Sequence, residues 1–222
     1  MADPVLETEE NVTLLGGGAV SRATFLEVLE HAPKLAAADG AAERALDEGV
    51  IPDAVIGDFD SLSAAGQARL RPDSLFHVPE QDSTDFEKCL ARIRAPMVFG
   101  VGFTGERIDH ELSVYHVLAR YPDRNCVIVG ERDVVVHAPP ELALGIAPGT
   151  RVSLFPMAEV TGRSEGLRWP ISGIGFAPWR RIGTSNEASA AEIRLRFDGP
   201  GMLLILPRSE LWTLAAALAR HG

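Results

Sequence analysis

Through the first 130 residues, short apolar runs alternate with stretches that carry apolar side chains on one helical face. The runs at 12–15, 34–38, 54–56, 75–78, 97–101 and 126–129 predict buried strands. Between them, the spacing predicts helices at about 21–30, 41–48, 85–94 and 109–120. Phe86, Cys89, Leu90 and Ile93 share one face of the third helix, and Leu112, Tyr115, Leu118 and Ala119 point inward from the fourth. Strands that alternate with helices build a parallel sheet from βαβ units. From about Val134 the pattern changes. Runs at 134–136, 151–155, 167–171, 192–197 and 202–206 follow one another without helices, punctuated by Gly and Pro. Ile193, Leu195 and Phe197 alternate with Arg194 and Arg196, the period of a half-buried antiparallel strand. Ser209 is positioned to cap a terminal helix over 210–220. The expected fold is therefore α/β. A Rossmann-like parallel-sheet domain over residues 1–133 precedes a small all-β sandwich over 134–222, which ends in a helix.

Chemistry enters at the ends of the apolar runs. Ala54-Val55-Ile56 leads into Gly57-Asp58-Phe59-Asp60-Ser61, two carboxylates two residues apart. Such a pair repels and is costly to desolvate, so folds keep it together mainly around a cation. Oxygen-only ligands favour Mg²⁺ or Mn²⁺ over zinc. The run at 34–38 ends in Asp39-Gly40, and the run at 75–78 is followed by Gln81-Asp82-Ser83-Thr84-Asp85-Phe86-Glu87-Lys88. After 97–101 come Gly102-Phe103-Thr104-Gly105-Glu106-Arg107-Ile108-Asp109-His110. In a parallel sheet, ligands bind beyond the carboxyl ends of the strands, so these loops gather carboxylates along one edge. Gly16-Gly17-Gly18, between the first strand and its helix, suits a phosphate. It is not a complete dinucleotide fingerprint, and a plain tight turn explains it equally.

Composition narrows the classes further. The formal net charge is −10, without a long basic run, which disfavours nucleic-acid and membrane surfaces as partners. No apolar run approaches a membrane span, and the acidic start, 1–11, has no leader pattern, so a cytoplasmic location is expected. The isolated Cys89 and Cys126 read as buried thiols in a reducing compartment.

Four of these segments, in this order, resemble the thiamine pyrophosphokinase family from Leu14 to about Leu206. The segments are Pro52 to Ser61, Asp82 to Leu90, Arg107-Ile108-Asp109-His110 and Gly183-Thr184-Ser185-Asn186-Glu187. The chain departs from the family pattern at Ala41, Glu106 and Val114, the second of them beside the expected phosphate site. The resemblance implies transfer of a diphosphoryl group from ATP to the hydroxyl of thiamine, with Mg²⁺ (or Mn²⁺) required and AMP released. It assigns Asp58, Asp60, Asp82 and Asp85 to metal, and Asp60, Asp85, Arg107 and Asp109 to catalysis. Gly17, Asp39, Lys88, Thr104, Gly105 and His110 fall to the nucleotide. Trp169, Thr184, Ser185 and Asn186 fall to thiamine, whose flat cationic rings call for an aromatic face and small polar groups. It also implies a homodimer whose sites draw on both chains.

Plainer roles compete for several of these residues. Thr84 with Glu87 is a capping box, and Lys88 pairs with Asp85 across one helical turn. Asp109 suits a helix N-terminus, and His110 suits a structural hydrogen bond. Two rival functions use the same residues: a Mg²⁺-dependent nucleotide phosphohydrolase, and a non-catalytic sensor of thiamine or nucleotide.

Overall fold

The computed structural model describes residues 3–220, so the outermost two positions of each expected domain lie outside the described residues. The chain forms two compact units that divide between Val114 and Tyr115. The first contains β1 (Leu6–Glu7), β2 (Val12–Leu15), α1 (Arg22–His31), β3 (Lys34–Ala38), α2 (Ala41–Asp47), β4 (Ala54–Gly57) and α3 (Ala64–Ala68). It continues with β5 (Leu75–His77), α4 (Asp85–Arg92), β6 (Ile93–Arg94) and β7 (Val98–Val101), and the division falls inside α5 (Ile108–Arg120). The second contains β8 (Cys126–Val129), β9 (Asp133–His137), β10 (Glu141–Leu144), β11 (Arg151–Pro156), β12 (Gly162–Glu165), β13 (Gly183–Glu187), β14 (Ile193–Phe197), β15 (Met202–Pro207) and α6 (Leu211–Leu218).

In the first unit β2 pairs with β7, β3 with β4 and β4 with β5, all parallel, and β2 lies beside β3. Every residue of β2, β4 and β7 is buried, which is why these strands read as unbroken apolar runs rather than alternating ones. Helices cover them through small and branched side chains: Ala42 and Leu46 of α2 meet Ala37 and Val55, with Leu62 and Leu70 closing the cluster. Helix starts are set by side-chain oxygens, Ser21 for α1, Ser63 for α3 and Thr84 for α4, each accepting from a backbone N–H of the first turn. The order β5-β4-β3-β2-β7 reverses direction at β2, which opens a crevice at the carboxyl ends of β2 and β7.

In the second unit the ladders run β13-β11-β15-β9-β8 and, separately, β10-β14-β12, with antiparallel pairs throughout. β14 buries Ile193, Leu195 and Phe197 and exposes the two arginines between them. α6 lies against β10.

Four expectations need correction. The units meet earlier than 133/134, because β8 forms an antiparallel ladder with β9 and so belongs with the β-rich part. Residues 167–171 form only a single bridge, Leu167 to Ala188, rather than a strand. Gly166 turns the chain at φ +74, Pro170 has no N–H, and the Trp169 N–H and C=O both bond the Asn186 side chain. Ser209 does not cap α6. It lies in a 3₁₀ turn, Arg208–Glu210, and the position before the helix is Glu210. Leu112 is exposed, and α5 buries Val114, Val117 and Leu118 instead.

Candidate functional site

A cleft of ≈ 690 Å³ opens at the carboxyl ends of the parallel strands of the first unit. Its floor is acidic. Asp39 follows β3 at φ +46, a left-handed conformation that Asp tolerates better than most residues. Its carboxylate is buried. Oδ2 accepts from the Ser61 hydroxyl at 2.7 Å and more weakly from the Ser61 N–H at 3.4 Å, whereas Oδ1 has no hydrogen-bond partner among the described residues. Gly57 makes this packing possible, since a Cβ there would come within 2.8 Å of the Asp39 Cβ.

Asp58 and Asp60 complete the floor. One oxygen from each of Asp39, Asp58 and Asp60 lies within 4.8 Å of the others. Phe59, between the two, has φ +64 and packs against the apolar cluster of α2, β3 and β4. Asp58 accepts from Lys88 Nζ at 3.0 Å and from Gln81 Nε2 at 2.8 Å. These donors, Lys88 first, lower the Asp58 carboxyl to about 2. Asp60 moves the other way: its contact with the Asp39 carboxylate, then the charge of Asp58, raises it. Lys88 is almost fully buried and also reaches Asp85, at 3.5 Å. Burial disfavours its charge, but its bonds to Asp58 and Asp85 outweigh that and hold the ammonium above its ordinary value. Asp85, in the first turn of α4, is raised by burial despite Lys88.

This donor set fits a hard divalent cation. It is all oxygen, it contains a buried oxygen without a donor among the described residues, and its carboxylates are close enough to oppose one another's ionisation. The three oxygens that gather are those of Asp39, Asp58 and Asp60. Asp82 stands apart from them, its backbone N–H donating to Glu80. Asp85 lines the cleft and shares Lys88 with Asp58.

The upper wall is glycine and aromatic. The Gly16 N–H donates to Val101 O at 2.8 Å and the Gly18 N–H to Gly102 O at 2.7 Å, so the loops after β2 and β7 touch backbone to backbone. A Cβ at Gly16 would come within 2.5 Å of Gly102 O. Gly17 and Thr104 line the cleft, and Phe103 packs on Phe86 of α4 with ring centroids 4.8 Å apart. The Gly105 N–H is taken by Glu111. Arg107 and His110 also line the cleft. Arg107 forks onto Asp109, 2.7 Å at the shorter contact, and this exposed pair lowers the Asp109 carboxyl. Glu106 and Val114, two of the departures from the family pattern, face the same cleft.

The remaining candidates lie in the second unit. Asn186, buried on β13, accepts from the Trp169 N–H at 3.2 Å and donates to the Trp169 C=O at 2.7 Å. The Trp169 indole is left 53% exposed, with the Arg168 guanidinium 4.8 Å from its ring centroid. Ser185 takes φ +61, and its N–H donates to Ser153 at the point where the β11–β13 register shifts. Thr184 is exposed beside it.

Sequence reasoning missed Ser61, Gln81 and Arg44 as parts of the first site. Ser61 ends the first recognised segment and Gln81 directly precedes the second, so their polar groups were visible signals. Arg44, in the middle of α2, gave none.

The catalytic-domain model of thiamin pyrophosphokinase matches residues 25–129. Thiamine pyrophosphokinase 2 of Arabidopsis thaliana is 28% identical over 211 residues, 76% of each chain. Thiamine pyrophosphokinase 1 of the same plant is 26% identical over 204 residues, again 76% of each. Among solved structures, thiamin pyrophosphokinase from Geobacillus thermodenitrificans superposes with a TM-score of 0.72 at 24% identity, covering 88% of this chain and 96% of that one. The enzyme from Candida albicans gives 0.73 at 12% identity, covering 93% and 95%. At these identities the structural likenesses show the fold.

Proposed function

We propose that this chain, a member of the thiamine pyrophosphokinase family, transfers the diphosphoryl group of ATP to thiamine. The observation that carries the reading is the carboxylate cluster of Asp39, Asp58 and Asp60 beside the glycine loop, inside the segment that the catalytic-domain model matches.

In the proposed reaction the thiamine hydroxyl oxygen bonds to the β-phosphorus of ATP. The bond from that phosphorus to the α,β-bridging oxygen breaks, and AMP leaves with the oxygen. The hydroxyl proton passes to Asp85, whose raised carboxyl makes it a better acceptor than an ordinary aspartate. Bound Mg²⁺, or Mn²⁺, neutralises phosphate charge. Asp39, Asp58 and Asp60 would hold it, with Asp85 close by. Lys88 keeps Asp58 ionised and in place. Gly17 and Thr104 receive the triphosphate, and Arg107, oriented by Asp109 and flanked by His110, offers it a planar donor. Trp169 supplies a flat face for thiamine, with Thr184, Ser185 and Asn186 as the polar groups around it. Nucleotide and metal are thus handled before residue 134 and thiamine after it. The working form is a homodimer in which the two chains share their sites. Two buried, unpaired cysteines suit the reducing cytoplasm, where we place the enzyme. Among the described residues no helix is long and apolar enough to cross a membrane.

The test is incubation with thiamine, ATP and Mg²⁺, with both products identified by chromatography and phosphorus NMR. AMP and thiamine diphosphate should form in equal amounts, and only when thiamine is present. ADP as the sole nucleotide product, or AMP release indifferent to thiamine, would instead favour a phosphohydrolase.

A further inference from the structure

We propose that Arg44 is a positioning residue for the nucleotide: from α2 its guanidinium clamps the glycine loop into the shape that receives phosphate. The proposal rests on the reading of the cleft as an ATP site.

Arg44 stands on α2, which starts directly after Asp39-Gly40. It donates through Nη1 to Gly18 O at 2.9 Å and through Nη2 to Val20 O. In a trans peptide the C=O and N–H point to opposite edges. By drawing these two carbonyls to itself, Arg44 turns the N–H groups of Ala19 and Ser21 toward the other edge of the loop. Backbone bonds from Gly16 and Gly18 to Val101 and Gly102 hold the same loop against the neighbouring strand end. Between these fixed points Gly17 stands in open space, where a Cβ would meet nothing within 4 Å. The loop is thus pinned on both sides of Gly17, which lines the cleft.

The fork explains the residue type. A guanidinium spans two carbonyls with two N–H groups held in one plane, which a single ammonium on a flexible stem does not reproduce. Arg44 also lines the cleft, so its charge bears on any anion there. The clamp links the loop after β2 to the helix that follows the buried metal-facing Asp39. Ordering the loop in advance removes an entropy cost from nucleotide binding.

The experiment compares wild type with Arg44→Lys and Arg44→Gln. It uses hydrogen–deuterium exchange over residues 16–21 without nucleotide, calorimetric binding of ATP in Mg²⁺, steady-state kinetics, and Mn²⁺ binding followed by electron paramagnetic resonance. Loss of two charge-assisted hydrogen bonds should weaken ATP binding on the order of tenfold or more. Exchange in 16–21 should rise by a similar factor, and the Lys variant should fall between wild type and Gln. KM for ATP should rise while kcat stays within about twofold and Mn²⁺ binding is unchanged. If Gln prevents folding, the Lys variant decides. Unchanged exchange with unchanged ATP affinity in Arg44→Lys would overturn the clamp. A wild-type chain that binds ATP but makes no thiamine diphosphate would refute the assigned reaction and leave the clamp to be judged by exchange and calorimetry. One that binds no ATP would overturn both.

Discussion

At the scale of single residues, the group to test first is the buried Asp39 carboxylate, whose Oδ1 has no hydrogen-bond partner among the described residues. Asn tolerates the same left-handed backbone, so Asp39→Asn removes charge without forcing a new conformation. Asp39→Asn and Asp60→Asn should each weaken Mn²⁺ binding and lower turnover on the order of 10²-fold or more, as removal of a key electrostatic stabiliser does. Thermal unfolding in the absence of metal should move little by comparison. Wild-type Mn²⁺ affinity in both variants would rule the cluster out as the metal site. The sequence announced Asp58 and Asp60 by their spacing and gave Asp39 to the nucleotide and Asp82 to the metal; the carboxylate oxygens that gather are those of Asp39, Asp58 and Asp60. Asp39 is turned inward by its φ and packs against Gly57, whereas Asp82 lies outside the carboxylate cluster and its backbone N–H donates to Glu80. Residue type carries no trace of either.

His137 supports a prediction about pH. It is buried on β9, its Nε2 accepts from the Gly201 N–H at 2.8 Å, and its Nδ1 has no partner among the described residues. Burial lowers its pKa, against a smaller opposing pull from the charge of Asp123. A histidine kept neutral in the fold binds its proton more readily when unfolded. Its contribution is therefore complete above the ordinary histidine value near ~6.5 and is lost as pH falls toward the lower folded value. Across that window this one group should remove up to about 1.4 kcal/mol of stability per pH unit. Urea melts between neutral and mildly acid pH should show a slope that shrinks in His137→Gln. An equal slope in both proteins would mean that other groups carry it.

Among the elements, α4 matters most, because it presents Asp85 and Lys88 from its first turn. Thr84 fixes its start by accepting from the Glu87 N–H, one half of a capping box, and the same turn carries Asp85 to the wall of the cleft. Thr84→Ala should cost about 1 kcal/mol of stability by denaturant melt. KM for Mg²⁺ should rise at the same time, since the Lys88–Asp58 contact hangs on that turn. A loss of stability with unaltered metal dependence would separate the cap from the site. Elements were legible where burial is one-sided or complete. The all-buried β2, β4 and β7 and the alternating β14 read directly from hydropathy. β12, with sequence Gly-Arg-Ser-Glu, has no such signal, because it is held by its ladder with β14 and not by apolar side chains of its own. The run at 167–171 had the signal and no ladder: the Trp169 backbone bonds the Asn186 side chain, and the Ile171 N–H donates to the Ser164 hydroxyl.

For the whole molecule, the proposed dimer with shared sites gives a quantitative test. Chains carrying Asp60→Asn and chains carrying Trp169→Ala are each expected to be inactive alone. In a mixed dimer with shared sites, one site collects both lesions and the other none, so random pairing should restore about a quarter of wild-type activity. A verified mixed dimer without recovery would show that each chain builds its own site. The two-part organisation was legible in the sequence because polarity and period change near Val134. The compact units divide some twenty residues earlier because β8, although its sequence reads like the strands before it, takes β9 as an antiparallel partner, and pairing leaves no mark in a hydropathy pattern.

The contact between Gly57 and Asp39 also constrains how such a site can change through mutation. Any side chain at position 57 would have its Cβ within 2.8 Å of the Asp39 Cβ, so a larger residue is admissible only if position 39 shrinks as well. Shrinking position 39 removes the buried carboxylate that the cluster needs. The two positions therefore form an epistatic pair with no active neighbour one step away. In a saturation library of both, variants retaining activity should keep glycine at 57 and a carboxylate at 39. Folded but inactive members should include pairs such as Gly57→Ala with Asp39→Gly. Recovery of active clones with alanine at 57 and aspartate at 39 would show that the backbone yields where the packing says it is closed.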